Sequence, residues 1–574
     1  MSNGAGKPKP AFYAAIAIVV LGLVGFAVYR VTAKKKDGSA PVIDPNILKN
    51  GSGSAAGKQV TPESPDGKTV VTTEKTYEWE PASRLPEVKG TANYSALGTP
   101  ATVKFAVNIW AGWAPIIWAN QGHKPKKVWK TAKGKEFQVE LKLIDDPIAM
   151  GDSVAAGTAH IGWATVDMLP LIVERLKRDP RTMPRVYQQI DWSNGGDGIV
   201  VRESIKDVGM LKGKTVALAQ NSPSHFFLLN ALLSAGVQPR DVKLKFNKTA
   251  FQSAAAFAQN KDIDGVVTWA PDIYTLTEGK TGNKLLISTA TANKLIADVW
   301  FARADFGRDN PDIIEALVRG IFDGIEELKT DQNKDTVSSM MDTFYSLEPG
   351  TGKKMLGDAH WTNFAENRDF FLVESNPTNF ERTYDTAFRL YKAIQVVEEK
   401  TDFDKIVDFT YVKKLAGEEK YASQKNSYEF VFTPKGEAPD LEKKVLTKTV
   451  TINFFPNSHD VFKKVTAGNK EVYYDGNVEY TIEEIAKLAG QFGAAQIVIE
   501  GHTDASMKGV ADEALVKDLS KRRADAVKAA LVNKYKMNPA QFSTLGAGWS
   551  KPLDPADNAK NRRVEVQVVP AEAQ

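Results

Sequence analysis

The sequence predicts a multidomain protein with one transmembrane helix, a large α/β domain and a small C-terminal α+β domain. Three observations support this fold class. The chain has 574 residues, and at about 100 to 200 residues per domain this length corresponds to several folded units. Residues 11–29 carry no charged side chain. From residue 100 to 400, short β-branched runs alternate with longer amphipathic stretches, and a separate strand and helix pattern begins near residue 446.

The composition excludes several classes of function. The 74 Lys and Arg against 70 Asp and Glu give a net charge of +4, which does not indicate a nucleic-acid-binding protein. The absence of Cys removes disulfides, zinc-thiolate sites, iron-sulfur clusters and thiol nucleophiles. The six His are scattered, so no metal site is expected. No nucleophile-base set and no phosphate-binding Gly-Lys-Ser loop is present, so we expect a binding protein without a cofactor rather than an enzyme.

Residues 11–29 (AFYAAIAIVVLGLVGFAVY) predict a single transmembrane helix. Nineteen helical residues span about 28 Å, close to the thickness of the hydrocarbon core of a bilayer. A cleaved signal peptide is the alternative, because Lys7 and Lys9 form a positive n-region, but no small-x-small cleavage site follows before Arg30. The basic residues on either side do not decide the orientation of the helix. The domains that follow must therefore decide it.

Residues 30–99 predict a flexible linker. They are rich in Gly, Ser, Pro, Lys and Thr and include stretches such as NGSGSAAGK that cannot bury an apolar face. A flexible chain of this length has a root-mean-square reach of roughly 45 Å. A short patch, TYEWEP at residues 76–81, is a candidate for local docking.

Residues 100–400 predict an α/β domain with mainly parallel strands. The strand candidates are residues 103–109, 139–144, 160–164, 198–201, 215–219 and 264–269. A helix is predicted from Pro311, because Ile314, Leu317 and Ile321 fall on one face. Residues 401–445, rich in Lys, Glu and Asp, predict a polar connector to the last domain.

Residues 446–574 predict a small α+β sandwich. Its elements are a strand at 448–455, a helix at 482–490, a strand at 496–501, a helix at 520–534 and a strand at 562–569. Arg523 shares the apolar stripe of its helix with Leu519 and Val527 and therefore needs a partner. Asp504 directly follows a strand of the buried type. The two side chains make either an internal ion pair or a site for a zwitterion.

This C-terminal region resembles the OmpA-like peptidoglycan-binding domain from about residue 450 to 569. The matching segments are IVIEGHTD (497–504), LSKRRADAVKAAL (519–531), LGAGWSKPL (545–553) and NAKNRRVEV (558–566). The resemblance implies that Asp504 and Arg523 hold the zwitterionic centre of diaminopimelate, with Thr503 and Asn561 in the same site. The loop after Asp504 is longer than usual, and Val516 stands where the family has Asn. The resemblance also implies a periplasmic location, with residues 1–10 in the cytoplasm.

A strand followed by a capped helix predicts an anion site in the central domain. In TVALAQNSPSHFFLLNALLSAG, Ser222 is the predicted N-cap, Pro223 stands at the first helical position and Gly236 lies just past the helix end. Free N–H groups at the helix start, with the hydroxyls of Ser222 and Ser224, would bind an anion. The alternative is a well-capped helix without a ligand.

The central domain resembles periplasmic solute-binding proteins of the nitrate, sulfonate and taurine type over about residues 100–395. The segments that carry the resemblance are WAGWAP (110–115), GTAHIGWATVD (157–167) and SIKDVGMLKGKTVALAQNSPSH (204–225). It implies two lobes, joined by hinge strands, that close over a small polar solute. The residues that would border the cleft are Trp113, Ser193, Asp197, Ser222, Ser224, His225 and Trp269.

The chemistry of the solute stays open at this point. The helix start and its hydroxyls favour an anion, whereas Trp113, Trp163, Trp192 and Trp269 with Asp197 favour an amine or quaternary ammonium. No cleft Arg stands out in these segments.

We therefore expect a single-pass inner-membrane protein whose bulk lies in the periplasm, where it binds peptidoglycan and a small solute in sensing or transport. A membrane transport or envelope complex is a further expected partner. The alternative is a structural scaffold of an envelope complex, with a clamp that has lost its ligand.

Overall fold

The computed structural model describes residues 72–571, except 83–84, 280, 427, 429, 431 and 433–438. The predicted transmembrane helix at 11–29 and the linker residues 30–71 lie outside the described residues. Within the described part of the chain, no helix is both long and apolar enough to cross a membrane.

The central domain is built on mixed sheets. Its strands are β1 (Thr102–Val107), β2 (Trp129–Lys130), β3 (Glu136–Leu143), β4 (Ile161–Thr165), β5 (Pro184–Ser193), β6 (Asp197–Arg202), β7 (Thr215–Ala219), β8 (Lys243–Asn247), β9 (Gly265–Trp269), β10 (Asn283–Ser288), β11 (Ala297–Arg303) and β12 (Ala359–Trp361). The sheet of lobe 1 has the order β12-β5-β11-β4-β1-β3-β2, and the sheet of lobe 2 has the order β10-β6-β9-β7-β8. The six predicted strands are confirmed as β1, β3, β4, β6, β7 and β9.

The prediction of mainly parallel strands is wrong. β1 pairs in parallel with β3 and β4, and β7 pairs in parallel with β8 and β9. By contrast, β11 is antiparallel to β4 and β5, and β6 is antiparallel to β9 and β10. The chain crosses from lobe 1 to lobe 2 between β5 and β6 and returns between β10 and β11. Each crossing strand therefore enters its sheet against the direction of the parallel strands.

The helices of the central region cover both sheets. They are α1 (Ala114–Ala119), α2 (Pro147–Ala155), α3 (Leu169–Leu176), α4 (Pro223–Ser234), α5 (Ala250–Gln259), α6 (Asp272–Thr277), α7 (Ala304–Asp309), α8 (Pro311–Glu327), α9 (Asp331–Tyr345), α10 (Thr351–Met355), α11 (Phe364–Leu372), α12 (Phe380–Ala393), α13 (Thr410–Leu415) and α14 (Glu419–Ala422). α8 begins at Pro311 as predicted, and Ile314, Leu317 and Ile321 are fully buried on one face. The predicted connector contains α13 and α14, and α13 packs its apolar side chains into the core.

Residues 72–97, here called the strap, lie against both lobes in their described parts, 72–82 and 85–97. This part of the predicted flexible linker is bound: in lobe 2, Asp272 Oδ1 accepts a hydrogen bond from the Thr73 backbone N–H at 2.8 Å. In lobe 1, Arg303 Nη2 donates to the Ala92 carbonyl at 2.8 Å. The strap also packs Tyr77, Val88, Tyr94 and Leu97 against the core, so the composition that predicts a flexible linker does not hold for this segment.

The C-terminal domain is the predicted α+β unit. Its elements are β13 (Leu446–Val450), β14 (Lys464–Ala467), β15 (Lys470–Tyr473), α15 (Val478–Gln491), β16 (Ala495–His502), α16 (Glu513–Tyr535), β17 (Phe542–Gly548), α17 (Asn558–Asn561) and β18 (Val564–Pro570). The main sheet has the order β13-β18-β16-β17, and β14 and β15 form a separate hairpin. The first predicted strand, 448–455, ends early, at Val450.

Helix α15 joins the C-terminal domain to the central domain. Asn230 Nδ2 of α4 donates to Gln491 Oε1 at 3.2 Å, and Arg382 Nε of α12 lies 3.4 Å from Glu483 Oε1. A Cβ at Gly490 would lie 2.9 Å from the Pro377 side chain. Apolar side chains of lobe 2 and of the C-terminal domain belong to one buried cluster. The two domains are therefore packed together rather than merely connected.

Candidate functional sites

Asp504 and Arg523 lie in the same site of the C-terminal domain, but they do not form a direct ion pair. Asp504 Oδ2 accepts a hydrogen bond from Arg562 Nη1 at 2.7 Å, and Oδ1 accepts from the backbone and hydroxyl of Ser506. Burial alone would raise the pKa of Asp504, but the hydrogen bonds from Ser506 and Arg562 outweigh it and hold the pKa below its ordinary value. The carboxylate is therefore charged near neutral pH.

Arg523 presents a guanidinium that is only partly used. Its Nε donates to the Ser458 carbonyl at 3.1 Å, and its guanidinium lies 4.8 Å from the centre of the Phe454 ring. Among the described residues, its terminal amino groups have no hydrogen-bond partner. Burial lowers the pKa of Arg523, the charge of Asp504 raises it and the charge of Arg562 lowers it. The site thus contains two guanidinium groups, of Arg523 and Arg562, and one carboxylate, of Asp504. The remaining positive charge can bind an incoming carboxylate.

The other two predicted residues of this site have different surroundings. The Thr503 backbone N–H donates to the Gly548 carbonyl at 2.9 Å, and its hydroxyl has no partner among the described residues. The Asn561 side chain accepts from the Leu553 N–H at 2.7 Å and donates to the Asp554 carbonyl at 2.6 Å. Thr503 can still bind a ligand directly, whereas Asn561 holds the loop beside the site. A ligand contact by either residue stays a prediction.

Ser193 and Asp197 form part of a hydrogen-bond network at the crossing between the lobes. Ser193 Oγ donates to Asp197 Oδ2 at 2.7 Å and lies 2.7 Å from Thr289 Oγ1. The Asp197 and Gly195 N–H groups both donate to the same Thr289 hydroxyl, at 3.1 and 2.9 Å. Thr289 follows β10, so the network ties the outward crossing to the returning one. The Ser193 hydroxyl is fully occupied by this network.

Helix α4 begins at the predicted N-cap residue, but the hydrogen bonds at its start differ from those of a capping side chain. Ser222 is the N-cap residue, but its hydroxyl donates to the Ala219 carbonyl at 2.8 Å instead of accepting from the helix. The Ser224 hydroxyl is buried without a partner among the described residues. His225 Nδ1 accepts from the Asn221 N–H at 3.3 Å, and burial lowers the pKa of His225 to about 4. The imidazole is therefore neutral near pH 7.

The two predicted cleft tryptophans differ. Trp113 is fully buried in lobe 1, where its indole N–H donates to Asn108 Oδ1 at 2.7 Å and its ring meets Phe105 edge-on. Trp269 is the register partner of Asp197 in the β6–β9 pair, and its buried indole N–H has no partner among the described residues. Trp113 is placed as a core residue, whereas Trp269 lies at the lobe crossing. Solute contacts by either tryptophan stay predictions.

Buried polar groups without partners are concentrated near the strand ends between the lobes. They are Thr165 Oγ1, both carboxylate oxygens of Asp167, Asn221 Oδ1, Ser224 Oγ and Trp269 Nε1. Asp167 stands in the turn Val166–Met168 after β4, and α4 contacts this turn. A buried polar group without a partner costs about 1 to 3 kcal/mol. Buried polar groups usually have a hydrogen-bond partner, so these atoms are candidates for contacts to a polar molecule.

Sequence reasoning missed four aspartates of this region. Asp167, Asp191 and Asp298 are buried, and Asp358 lies directly before β12. Asp191 and Asp298 are register partners across β5 and β11, and Asp191 accepts from the Trp110 indole N–H at 3.1 Å. The sequence feature that indicates such aspartates is an acidic residue inside or directly after the apolar run of a strand, as in GWATVD and ADVWF.

The topology defines a two-lobed α/β domain whose lobes are joined by two chain crossings, followed by an α+β domain. Residues 134–334 match the NMT1/THI5 like family, and residues 476–565 match the OmpA family. The chain thus joins an NMT1/THI5-like central region to a C-terminal OmpA family domain.

Known proteins resemble the two regions separately. The taurine-binding periplasmic protein of Escherichia coli (strain K12) is 27% identical over 197 residues, covering 33% of this chain and 58% of that protein. Outer membrane porin F of Pseudomonas aeruginosa is 38% identical over 93 residues, covering 15% of this chain and 25% of the porin. The crystal structure of the periplasmic aliphatic sulphonate binding protein of Escherichia coli is 17% identical, covers 54% of this chain and 99% of that one, and has a TM-score of 0.42. The chain spans less than two thirds of the length of either sequence relative.

Proposed function

We propose that this protein binds a small polar solute between its lobes and binds peptidoglycan through its C-terminal domain, while a single N-terminal helix anchors it in the inner membrane. Both binding domains then lie in the periplasm. The protein acts in solute sensing or delivery at the cell wall and not as an enzyme.

The unpartnered polar groups between the lobes support solute binding. Asp167, Ser224 and Trp269 are each buried with hydrogen-bonding atoms that no described residue satisfies. Lobes joined by two crossings can separate and close by a hinge motion, which admits a ligand to groups that are buried in the closed state. The name of the taurine-binding relative agrees with a periplasmic binding role for the central domain.

The charge arrangement around Asp504 supports wall binding. A zwitterionic stem-peptide centre offers an ammonium to Asp504 and a carboxylate to Arg523, whose terminal amino groups are available. Arg562 pairs with Asp504, but its side chain is 47% exposed. It can therefore move aside when the ammonium arrives.

Sedimentation with purified diaminopimelate-type cell-wall sacculi tests the wall-binding function. Arg523→Ala and Asp504→Asn in the full-length chain each remove one charge-assisted contact, worth about 1.5 to 3 kcal/mol. We expect each to weaken binding at least tenfold. Arg522→Ala is the matched control, because the neighbouring Arg522 pairs with Asp518 on the same helix at 2.9 Å. Unchanged sedimentation of the Arg523 and Asp504 variants would overturn this assignment.

A reporter fusion tests the proposed topology. The uncharged segment at 11–29 and the periplasmic nature of the proposed ligands support an N-terminus in the cytoplasm. A reporter that is active only in the periplasm, inserted after Gly57, is expected to be active. An inactive reporter there, with an active cytoplasmic reporter at the same position, would overturn both the anchor and the wall-binding role.

A further inference from the structure

Five aspartates gather where the chain crosses between the lobes. Asp191 and Asp298 are register partners in β5 and β11, and burial together with the charge of Asp191 raises the pKa of Asp298. Asp197 begins β6, immediately after the outward crossing. Asp358 precedes β12, and its carbonyl accepts from the N–H of Asn194 within that crossing at 2.6 Å. Asp167 completes the group from the turn after β4.

No Lys or Arg forms an ion pair with these five carboxyl groups among the described residues. Elsewhere in the same domain, Arg175 lies 2.6 Å from Asp152 and Arg303 lies 2.7 Å from Asp305, whereas the buried Asp272 has hydrogen bonds from Thr73 in place of a cation. Burial of a charge without a partner is costly. The five carboxyl groups therefore carry this cost when they are ionised, and an anionic solute would find no counter-charge beside them.

Hydrogen-bond acceptors without donors provide a second, independent observation. Both oxygens of the fully buried Asp167 and Oδ2 of Asp358 have no donor among the described residues. A neutral amide shows the same deficit: Asn221 Oδ1, at 5% exposure, has no donor and stands directly before α4, the helix that contacts the turn of Asp167. These acceptors favour a partner that brings N–H or O–H groups, although the unpartnered indole N–H of Trp269 in the same region needs an acceptor.

Aromatic rings lie beside the carboxyl groups. The Trp110 ring lies against Gly196, where a Cβ would come within 2.2 Å of it, and its indole donates to Asp191. Trp269 pairs in register with Asp197. An indole face attracts a cation, so rings and carboxylates favour the same sign of charge.

Resting on the solute-binding function proposed above, we propose that the solute is an organic cation that carries at least one ammonium group. Its N–H groups satisfy Asp167 and Asn221, and its charge compensates the aspartates. The carboxyl groups are too dispersed for a bare metal ion: among the described residues, the only acidic or His groups with three ligand atoms within 4.8 Å of one another are Glu500, His502 and Glu565, in the other domain.

The protonation of the aspartates agrees with this assignment. Burial raises the pKa of Asp167 and Asp197 to about 7 and that of Asp358 to about 8. The titratable groups that interact with Asp167 are acidic or neutral, namely Asp197, Asp298 and Tyr391. A bound cation favours the ionised carboxylates, so its binding releases protons near pH 7.

Calorimetry and thermal melting of the full-length chain in detergent test the proposal. The probes are putrescine, spermidine, choline, glycine betaine, taurine, ethanesulfonate, nitrate, Mg²⁺ and Ca²⁺ at matched ionic strength and pH 7. We expect at least one ammonium compound to raise the melting temperature and to release protons, measured in buffers of different ionisation enthalpy. Asp167→Asn and Asp197→Asn should each weaken that binding at least tenfold. Asp262→Asn, an exposed site on lobe 2, is the matched control.

The possible outcomes separate this proposal from the function on which it rests. Binding of ethanesulfonate or nitrate, with none of the ammonium compounds, would overturn the cation assignment and leave solute binding intact. Binding of Mg²⁺ or Ca²⁺ alone, or ammonium binding that survives both Asp→Asn changes, would also overturn it. If no probe binds and no small molecule is released from the purified protein, solute binding itself fails.

Discussion

At the scale of single residues, the buried aspartates of the cleft lower the stability of the folded protein and are also the groups proposed to bind the solute. Asp167 is fully buried without a hydrogen-bond donor, and the same burial raises its pKa to about 7. When the pKa of a carboxyl group is higher in the folded than in the unfolded state, its contribution to stability is fully present below its pKa in the unfolded state, about 3.9. This contribution is lost as the pH rises through the pKa of the group in the folded state.

The ligand-free protein should therefore melt at a higher temperature at pH 6 than at pH 9. Asp167→Asn should raise the melting temperature at pH 9 by at least about 2 °C, or roughly 1 kcal/mol for a domain of this size. It should also reduce the slope of melting temperature against pH. Scanning calorimetry of the two proteins across this pH range measures both effects. A lower melting temperature of the Asn variant at pH 9 would show that Asp167 is stabilised by a partner.

The two sites differ in how far residue patterns predict them. Asp504 and Arg523 stand in short motifs that can be recognised from the sequence alone, and both residues lie in one site of the structure. The cleft is different, because Asp191 and Asp298 become neighbours only through the pairing of β5 with β11. The sequence predicts Ser222 as the N-cap, and the structure confirms this position. Its hydroxyl, however, donates to the Ala219 carbonyl instead of accepting from the helix. Pairing between distant strands carries no local signal.

At the scale of elements, the position of α16 on β16 sets the geometry of the proposed wall-binding site. A Cβ at Gly501 would lie 2.1 Å from the carbonyl oxygen of Ser520, so the helix can approach the strand only over a glycine. Arg523 is on this helix, and Asp504 follows this strand. The distance between the two charges therefore depends on the close approach at Gly501.

Gly501→Ala should destabilise the C-terminal domain by about 1 to 3 kcal/mol, since the added methyl group meets backbone that cannot move freely. It should also weaken sedimentation with sacculi, although neither charged residue is altered. Gly476→Ala is the control, because a Cβ there meets nothing within 4 Å. Chemical denaturation and sacculus sedimentation of both variants make the comparison. Equal stability of the two variants would contradict the role given to the close approach.

The strap is the second element that connects structure to function, since it contacts both lobes. Loss of residues 72–97 leaves the fully buried Arg303 without its bond to Ala92. A chain beginning at residue 98 should melt at least about 4 °C below one beginning at residue 72, at about 2 to 4 °C per kcal/mol. Differential scanning of the two chains tests this. Identical melting curves would show that the strap contributes nothing to the stability of the lobes.

At the scale of the whole molecule, α15 packs the C-terminal domain against the central domain through α4 and α12. α4 begins beside the cleft and reaches the C-terminal domain at Asn230. Strand positions and domain order follow from apolar runs in the sequence. The packing between the domains does not, because it depends on surface complementarity such as that of Gly490 with Pro377.

The most direct test of the account is the identity of the molecule held between the lobes. The full-length protein is purified under native conditions and denatured, and the released small molecules are identified and quantified by mass spectrometry, with Asp167→Asn prepared in parallel. We expect close to one equivalent of an ammonium-bearing compound from the unaltered protein and little from the variant. An anion in its place would contradict the proposal that the acidic cleft binds a cation. An empty cleft, together with the failure of every probe to bind, would contradict solute binding and support the scaffold alternative.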